Sequence, residues 1–198
     1  MERRLAAIVC ADVAGYSRLM GADEEGTHAA FKAHRSAIYP VILNFGGRVV
    51  KNTGDGFLLE FPSIVGAIES AIAVQALMAE RNNHLPADRL MQFRLGVHMG
   101  DVIADEDEVF GDDVNIAVRL EAVAAPGGVA VSAKAYICRN RMFLQRDQSV
   151  RRVFHGVPIV NPICWRLIEN RAMLLLDVGF VQTDLWNGDR PAAVASCA

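Results

Sequence analysis

At 198 residues the chain has room for one domain with a substantial core and a further segment beside it. A composition of 52% apolar and 22% charged residues is that of an ordinary globular protein, and a net charge of -3 with no basic stripe excludes a nucleic-acid footprint. The four cysteines, Cys10, Cys138, Cys164 and Cys197, lie far apart with no CxxC and no histidine ligand spacing. That excludes a zinc site or disulfide framework and fits a reducing compartment. No segment reaches the roughly 18 apolar residues a bilayer crossing needs, and the apolar run before Asp12 is at the short limit for a signal sequence. The expectation is a cytoplasmic protein without a membrane segment, in which any phosphate-bearing ligand needs a local site.

Residues 5–13 are almost continuously apolar, as in a strand buried on both faces, which makes Asp12 out of character. Acidic residues 23–25 open a helix that runs to about residue 45, where Gly46-Gly47 ends it. Residues 48–51 and 57–61 are short strands around a Gly- and Asp-rich turn, hence a hairpin. Pro62-Ser63 starts a second helix, with Ile64, Ile68, Ala71, Ile72 and Gln75 on one face. Residues 91–98 and 101–104 read as a second strand pair turning at Met99-Gly100, followed by an acidic loop over 105–108. A helix over 112–125, broken by Pro126-Gly127-Gly128, and a strand over 129–132 complete the alternation. This order predicts an α/β (α+β) sandwich of the ferredoxin-like βαββαβ kind, its mostly antiparallel sheet covered by helices. A domain over 1–142 is expected, with a diverged C-terminal segment over 143–198 where arginines are plentiful and periodicity fades except at 173–176.

Two aspartates stand in special settings. Asp12 ends the apolar strand, and the turn from Val13 through Gly15, Tyr16 and Ser17 leads into a helix, where backbone amides can cradle phosphate oxygens. Asp55 sits at a hairpin tip between Gly54 and Gly56, which permit a sharp turn and close approach. Either carboxylate alone reads as a cap or turn residue. Converging at one sheet end, the pair suits Mg²⁺, which takes few protein ligands and completes its shell with water and phosphate. Asn115 and Arg119, four apart, share a helical face suited to a ribose and a phosphate; by periodicity alone they are also a solvated face, with Arg119 paired to Glu121 or Asp112. Lys51 is one of three lysines, with Lys32 and Lys134, and by default is an exposed strand residue.

Residues 5–17 (LAAIVCADVAGYS), 51–56 (KNTGDG), 93–102 (FRLGVHMGDV) and 110–121 (FGDDVNIAVRLE) together resemble the class III adenylate and guanylate cyclases, above all the bacterial catalytic domains. The resemblance runs in unbroken order over about residues 4–140. It implies that Asp12 and Asp55 bind two Mg²⁺ or Mn²⁺ ions, with the Val13 carbonyl as a further ligand. Asn115 would orient the ribose, Arg119 neutralise the triphosphate, and Lys51 with Glu108 select the purine. Lysine donating to the ring-nitrogen acceptor and Glu108 accepting from the exocyclic amine suit adenine, whereas guanine presents the reverse pattern. The implied reaction is attack of the ribose 3′ hydroxyl on the α-phosphorus of ATP, giving cyclic AMP and pyrophosphate. In the family the metal residues and the Lys51, Glu108, Asn115 and Arg119 equivalents come from different subunits, so a chain carrying both sets implies a homodimer with two sites. One departure stands out: the family's further lysine in its last segment has no match, since all three lysines precede it, and Arg151, Arg152 or His155 would have to substitute. The alternative reading is therefore a degenerate cyclase homologue, weakly active or inactive, serving as a nucleotide-binding or dimerisation module. A diguanylate cyclase is suggested only faintly by residues 53–57, where Gly56 replaces that family's second acidic residue.

Overall fold

The computed structural model describes residues 1–105, 108–138, 166–168 and 171–176. Strand β1 (Glu2–Val13) is an inner strand of the sheet, pairing antiparallel with β3 (Gly56–Phe61) on one side and β4 (Phe93–Asp105) on the other. Outside these lie β2 (Arg48–Asn52) against β3 and β6 (Val129–Ser132) parallel to β4, while β5 (Glu108–Phe110) folds back on the end of β4. Two strands from the C-terminal segment, β7 (Arg166–Ile168) and β8 (Arg171–Leu176), extend the sheet beyond β6, giving the order β2-β3-β1-β4-β6-β8-β7. The expected α/β sandwich with a mostly antiparallel sheet is thus present.

Period-two alternation along β1 divides the core. Ala7, Val9, Ala11 and Val13 face a large cluster closed by α1 (Tyr16–Ala22), α2 (Glu24–Asn44) and α3 (Ile64–Asn82), with Phe31, Phe57 and Phe93 stacked at its centre. Ala6, Ile8 and Cys10 face the other side, where α4 (Asp112–Val123) covers part of the sheet. Burial pushes the Cys10 thiol up to about 12, an inert hydrophobe under α4. Helix α2 is capped where the sequence predicted, with Asp23 accepting from Gly26 N–H at 2.9 Å.

One expectation is corrected. Residues 91–98 and 101–104 are not two strands turning at Met99-Gly100 but one continuous strand, β4. The ladder with β1 runs straight through, Ala7 opposite Met99 and Ala6 opposite Gly100. Gly100 serves packing instead of a turn: a Cβ there would lie 2.0 Å from Asp113 Cγ, and one at Gly96 would lie 2.2 Å from the Ala117 carbonyl oxygen. These glycines, four apart on one face, form a bare seat on which α4 rests directly against the backbone. His98 locks the seat, one ring nitrogen 2.7 Å from Ser132 Oγ and the other 2.8 Å from Asp113 Oδ1. Asp113 also accepts from Asp101 N–H. Burial alone would raise the Asp113 pKa, but these hydrogen bonds and the His98 charge outweigh it and hold the carboxyl below its ordinary value.

Candidate functional site

The two aspartates converge. Asp12 lies opposite Gly56 in the β1–β3 ladder, and the Val13 N–H donates to the Asp55 carbonyl at 3.2 Å, so the hairpin tip is stitched to the end of β1. Gly56 makes this possible, because a Cβ there would fall 1.9 Å from the Ala11 carbonyl oxygen. Gly54 takes a left-handed φ of 78°, which turns the chain into Asp55. The carboxylates feel each other: burial, then the Asp12 charge, raises the Asp55 pKa. Past Val13 the chain turns at Gly15 (φ 69°) into α1, bringing the backbone of Gly15, Tyr16 and Ser17 to the same strand end. The Tyr16 ring packs on Phe31 at 5.6 Å, against the core and away from the strand end.

Two further residues complete the cluster: Arg94, which sequence reasoning did not single out, and Glu121, which it offered only as a partner for Arg119 on a solvated face. Arg94, directly opposite Asp12 on β4, donates from Nη2 to Asp12 Oδ2 in a very close contact. The same nitrogen lies 3.1 Å from Glu121 Oε1. Burial, then the charge of Asp12, pushes the Glu121 carboxyl up to about 7, against the lowering effect of Arg94. Three buried atoms here lack a hydrogen-bond partner: Asp12 Oδ1, Arg94 Nε and Glu121 Oε1, the last within ion-pair distance of Arg94 but without hydrogen-bond geometry. Arg94 interrupts an apolar strand, and Glu121 shares the buried stripe of α4 with Ala117 and Leu120. Those were the available signals.

An orphaned buried carboxylate oxygen beside a second carboxylate is what a cation would satisfy. Among the described residues no three His, Cys, Asp or Glu side chains form a ready-made cage. The donor set is two carboxylates and a nearby backbone carbonyl at Val13, which fits a hard ion that keeps open positions for water and phosphate.

The remaining predicted residues fall into two places. Lys51 on β2 and Glu108 on β5 are exposed, but their strands meet: Val50 and Val109 pack into one cluster with Leu58 and Val114. Asn115 and Arg119 lie on the exposed stripe of α4, whereas Ala117, Leu120 and Glu121 face the sheet. The chain therefore does not turn Asn115 and Arg119 toward its own Asp12 and Asp55. Arg151, Arg152 and His155 lie outside the described residues.

Comparison with known proteins agrees with this geometry. The sequence profile of the adenylate and guanylate cyclase catalytic domain matches residues 3–155, and the chain belongs to that family. "Putative adenylate cyclase 3" of Rhizobium meliloti (strain 1021) is 50% identical over 133 residues, covering 67% of this chain and 23% of that relative. An adenylate cyclase of Streptomyces coelicolor is 30% identical over 132 residues, 66% of this chain and 33% of the relative. The chain thus spans a third or less of these relatives' length. Among solved structures, the adenylate/guanylate cyclase/hydrolase from Silicibacter pomeroyi superposes with a TM-score of 0.70 at 33% identity, covering 88% of this chain and 95% of that one. Among the described residues no helix is long and apolar enough to cross a membrane.

Proposed function

We propose that the chain is an adenylate cyclase, converting ATP to cyclic AMP and pyrophosphate at sites shared by two copies of itself. The observation that carries this reading is the convergence of Asp12 and Asp55 at one strand end with a buried carboxylate oxygen left unsatisfied. Asp12, Asp55 and the Val13 carbonyl would hold two Mg²⁺ or Mn²⁺ ions, which supply a lowered pKa for the ribose 3′ hydroxyl and charge stabilisation for the phosphates. The backbone at Gly15, Tyr16 and Ser17 would hold phosphate oxygens.

The other half of each site comes from the second copy. Asn115 would orient the ribose and Arg119 would neutralise charge that grows on the phosphates during displacement. Both project from the exposed face of α4, away from their own aspartates, which supports a subunit-sharing arrangement. Lys51 and Glu108, on strands that meet through Val50 and Val109, would read adenine as donor and acceptor. Cytoplasmic action is consistent with these assignments.

The test is a product assay with ATP and GTP side by side in Mn²⁺ and in Mg²⁺. Cyclic AMP from ATP, abolished by Asp55→Ala, supports the reading; unchanged product with that variant overturns it. A second reading rests on the absence of any lysine after Lys134. On that reading the chain is a degenerate homologue that binds nucleotide or pairs with a partner copy without turnover, and tight ATP binding with no product at high enzyme concentration selects it.

A further inference from the structure

We propose that Arg94 is the resident cation of Asp12 in the ion-free protein, and that Glu121 is the dock that takes the Arg94 guanidinium when a divalent ion displaces it. This rests on reading Asp12 and Asp55 as the ion-binding pair. Glu121 is then a positioning residue, acting on the site through Arg94.

The arrangement of groups carries the argument. One guanidinium stands among three carboxylates, Asp12, Asp55 and Glu121, and its Nη2 is engaged by Asp12 while lying 3.1 Å from Glu121 Oε1. Its Nε–H has no acceptor, and one oxygen each of Asp12 and Glu121 has no donor. A buried polar network with three unmet atoms is an unfinished one, because each orphaned group forfeits its solvation without return. A dication at Asp12 and Asp55 would satisfy the free Asp12 oxygen, and its charge would oppose the guanidinium held on the other oxygen of the same carboxylate.

Arg94 cannot shed its charge, as guanidinium stays protonated in proteins. Its backbone is fixed opposite Asp12 in the β1–β4 register, so only its side chain can move. The displaced charge therefore needs an anion within reach of a small side-chain rotation. Glu121 supplies it: the carboxylate lies on the sheet-facing stripe of α4, whose backbone is pinned against Gly96. Swinging from Asp12 to Glu121 lets the unpaired Glu121 Oε1 gain a true hydrogen bond. Without Glu121 the partly exposed guanidinium would sit beside the incoming ions with no carboxylate partner.

A double-mutant cycle on the full chain without nucleotide tests this, reading Mn²⁺ affinity from the electron paramagnetic resonance of free Mn²⁺, with folding of each variant checked by thermal melting. Arg94→Gln is expected to tighten Mn²⁺ binding and Glu121→Gln to weaken it, each on the order of tenfold, a coupling in the range of directly contacting residues. In the Arg94→Gln background, Glu121→Gln is expected to change affinity less than about threefold. Equal weakening by Glu121→Gln in both backgrounds makes Glu121 an independent charge or ligand and overturns the proposal. In the wild-type chain, the Arg94 Nε–H resonance is expected to shift in step with Mg²⁺ binding, and an unmoved resonance at saturation overturns it without any variant. Should neither the wild type nor Arg94→Gln bind Mn²⁺, the ion-pair reading itself falls. Binding that Asp55→Asn removes but Arg94→Gln leaves unaltered sinks only the present inference.

Discussion

Gly56 sits so close to β1 that a Cβ on it would fall 1.9 Å from the Ala11 carbonyl oxygen and 3.0 Å from Asp12 Cα. The obstacle is backbone, which cannot rotate aside. Gly56→Ala is therefore expected to push the β2–β3 hairpin away from β1 and carry Asp55 with it. Stability should fall by about 1–3 kcal/mol, as for other over-packed sites, and cyclase activity should fall by much more than the loss of folded protein explains. Urea unfolding and a product assay on the folded fraction separate the two effects.

Asp55→Asn should part stability from activity. Burial and the Asp12 charge raise the Asp55 pKa, so the ionised carboxylate is destabilising in the ion-free chain. The amide removes that repulsion. Thermal melting at pH 8 in a chelator should show the variant at least as stable as wild type, while cyclic AMP formation falls more than about a hundredfold, beyond what loss of an outer-shell contact does. A variant that is less stable and equally active contradicts both halves.

Stability of the ion-free chain should decline as pH rises toward neutrality. Glu121 titrates near 7 in the folded chain against an ordinary value of 4.5. Between those values the folded state keeps a proton that the unfolded state has released, so each step up in pH favours unfolding, and the trend levels off above about 7. Asp55, shifted in the same direction, adds to it. The Glu121 contribution is read by difference: from pH 5 to pH 8 in chelator the wild-type melting temperature should fall relative to that of Glu121→Gln, a comparison that cancels the opposite trend from buried His34, whose pKa is lowered.

The subunit-sharing arrangement predicts complementation. Asp55→Asn and Arg119→Ala chains, each inactive alone, should regain activity when mixed and allowed to exchange. Random pairing makes half the dimers mixed, each with one intact site of two, so recovery should approach roughly a quarter of wild-type activity. No recovery under conditions where exchange is demonstrated would rule out shared sites.

His98 offers a control away from the chemistry. His98→Leu leaves Ser132 and Asp113 without their ring partner under α4 and should cost about 1–3 kcal/mol, measured by urea unfolding.

The sequence made some of this visible and hid the rest, for reasons particular residues explain. Asp12 was conspicuous because a carboxylate closes an apolar strand, and Asp55 because two glycines flank it. The helices and the β2–β3 hairpin followed from periodicity and turn chemistry. Gly100 misled, because glycine after methionine reads as a turn until α4 is known to need the space. Arg94 went unnoticed, and Glu121 was read only as a surface partner for Arg119, because an arginine in a strand and a glutamate in a helix are ordinarily solvent-facing. Only the β1–β4 register and the seating of α4 bring them to Asp12. Asn115 and Arg119 looked like a solvated face, and within one chain that is where they lie.

The glycine seat under α4 has a consequence for how such a domain can diverge. With bare backbone at position 96, α4 meets β4 there through its own backbone, with no side-chain spacer whose length could be trimmed or extended. Any side chain larger than hydrogen at position 96 meets helix backbone that cannot rotate aside and pushes α4 off the strand. Tolerated variation is thereby confined to the outward stripe of α4 and to the loops, so new ligand preferences can arise only where they leave the scaffold's thickness untouched.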